Sequence, residues 1–272
     1  MSYLIFGGNG WIGNKLYNLL RDEGKEVHIA SSRMENREHV AKELDEIMPE
    51  FVLNCAGKTG RPNIDWCETH KAETLISNVI GPVNLADLCN QRGIHFTNYA
   101  SGCIYTGYEK EFSERDEPNF TGSYYSFTKV QAEKLLSIYP NVLHLRLRMP
   151  ISDDLSPRSF IYKILHYKKV IDKPNSMTIL SDLLPISLDM IEKEETGIYN
   201  FCNPGSVSHN QILSLYKKYV DNEFTWTNFT VEEQEKVLLA PRSNCVLNTG
   251  KLNSLYKIPN ALESIENIIS KW

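Results

Sequence analysis

"YLIFGGNGWIG", residues 3–13, decides the fold. Tyr3 to Phe6 form a short apolar run that reads as a buried strand. Trp11, Ile12 and Gly13 then open an amphipathic segment, with Gly7, Gly8, Asn9 and Gly10 as the turn between. The glycines fit G-x-G-x-x-G through Gly8, Gly10 and Gly13, and G-x-x-G-x-x-G through Gly7, Gly10 and Gly13. Such glycines permit a tight turn and close backbone approach, and the helix that follows offers free N–H groups to a pyrophosphate. Strand, turn and helix in this order predict a dinucleotide-binding site built on Gly7 through Gly13.

Outward from that loop, short apolar runs alternate with amphipathic stretches. Residues 27–30, 51–56, 94–100 and 142–147 read as strands, and 11–23, 36–47, 69–92 and 126–138 as helices. The alternation predicts an α/β fold of Rossmann type, a doubly wound parallel sheet with ligands at the carboxyl ends of its strands. After Pro150 the rhythm becomes irregular. One more strand is expected at 197–201, and helices at 159–168, at 208–219 behind a Ser208/Gln211 capping box, and at 260–270. The expected organisation is a dinucleotide-binding core over 1–150, rejoined by 181–203, and a smaller integrated substrate cap from 151–180 and 204–272.

A net charge of −5 and a pI near 5.9 argue against a general nucleic-acid or anionic-membrane binder. No uncharged apolar run approaches the ~20 residues that span a bilayer. The chain enters a strand at once, so no secretory signal is expected. None of the six cysteines lies in a C-x-x-C pair, which suggests neither zinc nor a disulfide framework. The expectation is a reduced, cytoplasmic protein without a metal.

The second strand runs into "IASSRMENR", without the acid that commonly binds the adenosine ribose of NAD. Ser31, Ser32 and Arg33 stand there instead, with Arg37 nearby. A carboxylate would repel a 2′-phosphate and an arginine pairs with it, so NADPH is expected over NADH. Solvated surface arginines are the alternative. In "GSYYSFTKVQAEKLL", 122–136, Tyr125 and Lys129 are spaced i, i+4, on one face of a helix. A lysine ammonium beside a tyrosine favours the phenolate and equips the phenol for proton transfer with a carbonyl oxygen.

The N-terminal glycine loop, "NCAG" (54–57), "YASGCIY" (99–105) and the Tyr125/Lys129 pair together resemble an extended short-chain dehydrogenase/reductase. That resemblance makes Ser101 the third member of a Ser–Tyr–Lys triad, Asn78 a structural asparagine, and Cys55, Ala56, Gly57 and Ala100 cofactor neighbours. Longer blocks, among them "GRPNIDWCETHK" (60–71), "RMPISDDL" (148–155), "YNFCNPGSVSHN" (199–210) and "FTWTNFTVEEQEKVLLAPRSN" (224–244), resemble one family over essentially the whole chain. It is the bifunctional UDP-4-keto-6-deoxy-glucose 3,5-epimerase/4-reductase of plants and some large DNA viruses, which makes UDP-L-rhamnose. The dehydratase domain fused ahead of it in long plant enzymes has no match here, which implies a UDP-sugar substrate supplied by a separate UDP-glucose 4,6-dehydratase. Related enzymes dimerise through helices matching 69–92 and 122–138, so a homodimer is a further expectation.

The resemblance also implies a use for Cys103, two residues past Ser101. Epimerisation removes protons from carbons 3 and 5, both next to the ketone and both on one ring face. A thiol serves as that base when a cationic environment favours its thiolate. Reprotonation comes from the opposite face, where the family places a lysine matching Lys163; Lys168 and Lys169 are its near neighbours. Arg242 is the implied diphosphate partner, Asn175 a candidate on the uridine side, and His209 structural or nucleotide-lining. Two other readings stay open here: a reductase without epimerase activity, and a non-catalytic NADPH-binding subunit.

Overall fold

The computed structural model describes residues 1–272. The first half runs β1 (Ser2–Phe6), α1 (Trp11–Asp22), β2 (Glu26–Ile29), α2 (Arg37–Ile47), β3 (Phe51–Asn54), α3 (Asp65–Thr69), α4 (Lys71–Leu75), a π-helical turn (Ile76–Ile80), α5 (Gly81–Gln91), β4 (His95–Ser101), β5 (Gly107–Phe112), α6 (Tyr124–Leu136) and β6 (Val142–Leu147). The second half runs α7 (Phe160–Leu165), β7 (Lys169–Ile171), α8 (Leu180–Glu192), β8 (Gly197–Asn200), α9 (His209–Tyr219), β9 (Thr227–Phe229), α10 (Val231–Val237), β10 (Cys245–Leu247), α11 (Gly250–Asn253) and α12 (Ala261–Ile269).

Six strands form one sheet in the order β2-β1-β3-β4-β6-β8, every neighbouring pair parallel. Alternate side chains of β1 serve opposite faces, as the pleat requires. Tyr3 and Ile5 pack with Leu16 and Leu20 of α1 and Leu183 and Leu188 of α8. Leu4 and Phe6 pack with Val40 and Leu44 of α2 and Leu85 and Leu88 of α5. Both faces are covered, which is why these strands read as unbroken apolar runs.

The helix α8 was not legible in the sequence. Pro185 lies inside it and removes one backbone donor, a residue that ordinarily argues against helix. Packing decides otherwise: Leu180, Leu183, Leu184, Leu188 and Ile191 are all buried on the sheet. The strand expected at 197–201 is β8, the outer strand beside β6.

A third apolar cluster joins Ile161 and Ile164 of α7, Ile212 and Leu213 of α9, Ile265 and Ile269 of α12, and Ile151, Met177 and Ile179 from the intervening loops. Two small parallel pairs, β10 with β5 and β7 with β9, tie late segments to earlier ones. The first pair matters for the site, because it brings residues 242–247 alongside the chain that leaves β4. No helix is long and apolar enough to cross a membrane.

Candidate active site

The glycine loop lies between the ends of β1 and β3. Gly7 has φ +76°, and a Cβ there would stand 2.7 Å from the Ala56 nitrogen. A Cβ on Gly13 would meet the Gly7 carbonyl oxygen at 2.4 Å. The expected neighbours Cys55, Ala56 and Gly57 follow β3 directly, with the Cys55 amide bonded to Phe6 O at 2.9 Å. Trp11, Ile12 and Gly13 precede the bond from Asn14 N–H to Gly10 O at 2.8 Å, so their amides stand at the open end of α1. A cradle that excludes side chains and an open helix end together fit a dinucleotide pyrophosphate.

At the end of β2 the structure adds a group that strand-by-strand reading missed. The Glu43 carboxylate, from α2, accepts the Ser31 amide at 2.6 Å, the Ser31 hydroxyl at 2.8 Å and the Ser32 amide at 3.0 Å, and also takes the Ser32 hydroxyl. Burial opposes its charge, but these four bonds outweigh burial and hold the carboxyl below its ordinary value. An acid therefore does stand beside this loop; helix α2 carries it back from twelve residues downstream of Ser31. The side chain of Arg33 is 85% exposed, 3.9 Å from Glu35. Arg37 is committed to Asp87 of α5, so it braces two helices instead of facing a phosphate.

The Tyr125/Lys129 pair sits in α6. This helix starts two residues earlier than expected, behind Ser123, whose side chain accepts the Ser126 amide. Lys129 Nζ lies 5.6 Å from the centre of the Tyr125 ring. Burial pushes the Tyr125 phenol well above its ordinary value, against the pull of a hydrogen bond with Ser101. The lowering expected from Lys129 is therefore reversed by desolvation. Burial also lowers Lys129, to about 8. Asn78 fixes the neighbouring backbone: its Oδ1 accepts the Lys58 amide at 2.7 Å and its Nδ2 donates to Lys58 O at 3.0 Å. It lies within the π-helical turn, a feature that often re-aims a side chain at a functional site.

Ser101 ends β4, beyond Ala100, and is nearly buried. Its hydroxyl accepts the Cys103 amide at 3.1 Å. The Cys103 sulfur is half-buried and lies 3.4 Å from Nη1 of Arg148, a residue the sequence did not single out. Ser101, Cys103 and Tyr125 thus gather at the carboxyl end of the central strand, with Lys129 one turn along α6.

The remaining expectations meet mixed outcomes. Lys163 lies in the last turn of α7, where burial lowers its ammonium, Arg158 adds to that, and no acid opposes it. Arg242 donates to Asp65 Oδ1 at 2.8 Å and to Ala240 O at 2.6 Å, so it is anchored to α3. Asn175, the candidate for the uridine side, is tied into the interior. It is fully buried; its Oδ1 accepts from Arg148 and from the Cys245 amide, and its Nδ2 donates to Lys173 O and Asn244 Oδ1. Its polar atoms are committed to Arg148, the Lys173 carbonyl, the Asn244 side chain and the Cys245 amide. His209 is buried edge-on to Phe160, and burial lowers its imidazole to about 4.

Comparison with known proteins places this geometry. The family described as RmlD substrate binding domain matches residues 1–208. An Arabidopsis thaliana protein named bifunctional dTDP-4-dehydrorhamnose 3,5-epimerase/dTDP-4-dehydrorhamnose reductase is 50% identical over 276 residues, 98% of this chain and 91% of that protein. An Arabidopsis trifunctional UDP-glucose 4,6-dehydratase/UDP-4-keto-6-deoxy-D-glucose 3,5-epimerase/UDP-4-keto-L-rhamnose-reductase is 47% identical over 99% of this chain, which spans 41% of its length. The crystal structure of a UDP-rhamnose synthase from Acanthamoeba polyphaga mimivirus superposes with a TM-score of 0.98 at 42% identity, covering 100% of this chain and 99% of that one.

Proposed function

The chain belongs to the RmlD substrate binding domain family, among its 3,5-epimerase/4-reductases, and from that premise we propose that it converts UDP-4-keto-6-deoxy-D-glucose to UDP-L-rhamnose. Epimerisation at carbons 3 and 5 comes first and reduction of the 4-ketone follows. The observation that carries this reading is the gathering of Ser101, Cys103 and Tyr125 at the end of β4, beside Lys129.

Ser101 and Tyr125 hold the ketone oxygen by hydrogen bonds. Those donors stabilise an enolate when a neighbouring carbon loses its proton. Cys103 takes the proton, and Lys163 returns one to the opposite ring face. A lysine pushed down by burial gives up its proton more readily than a solvated one. Because the ketone makes the hydrogens on carbons 3 and 5 acidic, both epimerisations precede its reduction.

NADPH supplies the hydride for reduction. Gly7 through Gly13 and the α1 amides would hold its pyrophosphate, and Arg33, carried on the loop of Ser31 and Ser32, would pair with its 2′-phosphate. Tyr125 protonates the 4-oxygen, and a phenol held neutral by burial starts in the correct form to donate. Lys129, while protonated, stabilises the phenolate left behind. Arg242, positioned by Asp65, faces the diphosphate.

The substrate arises by 4,6-dehydration of a nucleoside-diphosphate glucose, a reaction outside the residues described here. The decisive experiment supplies UDP-4-keto-6-deoxy-D-glucose and NADPH, follows NADPH oxidation, and identifies the sugar by NMR. L-rhamnose supports the proposal. A 6-deoxy sugar of D configuration supports a reductase alone, and no oxidation supports a binding subunit.

A further inference from the structure

Two arginines stand two residues apart at the end of β6, so their side chains leave the same face. Arg146 and Arg148 are each 1% exposed. Their partners differ sharply. Arg146 forks onto Glu133, at 2.7 Å from Nε and 2.6 Å from Nη2. Arg148 meets no carboxylate. Its Nη1 donates to Ser243 Oγ at 2.8 Å and lies 3.4 Å from Cys103 Sγ. Its Nη2 donates to Asn175 Oδ1 and to Ser243 O at 3.2 Å, and its Nε has no partner.

A guanidinium keeps its proton in a protein. Burying one without an anion costs several kcal/mol. The surroundings of Arg148 therefore call for a negative charge, and sulfur is the nearest source. Three thiols are close enough to favour its charge: Cys245, Cys103 and Cys202. Cys245 and Cys202 are fully buried, and burial pushes both thiols up. Cys103 alone is part-exposed, and it alone adjoins Ser101. Tyr108 of β5 also faces Arg148, and Tyr125 and Lys129 of α6 face Cys103.

We propose that Arg148 is the counter-charge that holds the Cys103 sulfur as a thiolate, a positioning residue for the epimerisation base. This rests on the reading of Cys103 as that base. The charges balance through the step. The thiolate takes the proton from carbon 3 or 5 and becomes a neutral thiol. The electron pair of the broken C–H bond passes to the ketone oxygen, where Ser101 and Tyr125 receive it. Arg148 remains protonated throughout. Asn175 and Ser243 hold the guanidinium in place, which gives the buried Asn175 its purpose.

The test is alkylation of Cys103 by iodoacetamide, followed by peptide mass from about pH 5.5 to 9.5. Peptide resolution separates Cys103 from the other five cysteines. In Arg148→Met, labelling near neutral pH falls about tenfold or more and recovers at alkaline pH, while Arg148→Lys keeps most of the rate. Asn175→Asp sets a carboxylate against the guanidinium and slows labelling in the same way with the arginine intact; it carries the test where Arg148→Met does not fold. A folded, NADPH-binding Arg148→Met that labels like the wild type at every pH overturns the proposal, as does unchanged labelling in folded Asn175→Asp. Slowed labelling in Arg148→Met with undiminished deuterium incorporation into the sugar upholds the pairing and removes Cys103 as the base.

Discussion

The Ser101 hydroxyl accepts the backbone N–H of Cys103 at 3.1 Å, so one three-residue turn carries both the oxyanion donor and the sulfur. Gly102 between them is packed against two side chains: a Cβ there would stand 2.6 Å from Leu247 Cδ1 and 3.1 Å from Arg148 Cγ. Substituting Gly102 by Ala pushes on the Leu247 side chain and on the stem of Arg148 beside Cys103. Both epimerisation and reduction fall together in that variant, as rates of deuterium incorporation and of NADPH oxidation, whereas substitutions at Cys103 separate them.

Tyr125→Phe removes the proton donor. Reduction falls by about 10²- to 10⁴-fold, the usual worth of a positioned general acid. NADPH affinity, read by fluorescence titration, stays near the wild-type value. A near-normal reduction rate would assign the role to another group.

Burial holds Lys129 near 8, below the 10.5 of a solvated lysine. The cation that stabilises the phenolate is present below that pH and fades above it, so the wild-type reduction rate falls as pH rises through about 8. Lys129→Arg keeps its charge and moves this limb upward. Stability has the opposite sign. A lysine easier to deprotonate in the folded state than in the unfolded one makes folding more favourable as pH rises between the two values. Lys129→Met relieves that burial cost, so its apoprotein melts higher than wild type near pH 7, and the gap narrows toward about pH 10.

The glycine loop, the strand–helix alternation and the Tyr125/Lys129 spacing were legible because each is set by neighbours within a few residues. Glu43 was not. Its contact with Ser31 and Ser32 exists only once α2 folds back over β2, and no pattern along the strand announces it. Arg148 left a faint signal: "LRLRMP" puts two arginines in a core strand, and Glu133 can neutralise only one. The burial of Asn175 was not legible because it depends on Cys245 of β10, and a three-residue strand does not advertise its pairing with β5. Pro185 concealed α8 by obeying a local rule that tertiary packing overrode.

The Glu43 cradle has its own consequence. Glu43→Ala removes a carboxylate from beside this loop and frees four donors at Ser31 and Ser32. Because a carboxylate repels a 2′-phosphate, NADPH binding gains on NADH binding in this variant, whereas Arg33→Ala moves the preference toward NADH, with dissociation constants as the measure. An unchanged NADPH/NADH ratio in both variants would remove both residues from 2′-phosphate recognition.

Burial works against the Glu133 charge, but bonds from Arg146 and His144 outweigh it and hold the carboxyl at about 2. Its folded value lies below its unfolded one, so its stabilisation is full above about pH 4.5 and is lost as pH falls toward 2. Glu133→Gln leaves Arg146 buried without an anion and costs about 3–5 kcal/mol at neutral pH, measured by urea unfolding. The difference from wild type shrinks in acid.

The most direct test of one site performing two reactions is Cys103→Ser given the keto-sugar in deuterated water. Ser101, Tyr125 and Lys129 are untouched, and a serine hydroxyl is too weak an acid to yield a base here without a dedicated activator. NMR of the product is expected to show no deuterium at carbon 3 or carbon 5, and any sugar reduced by NADPH to keep the D configuration. UDP-L-rhamnose carrying deuterium at both carbons would contradict the account.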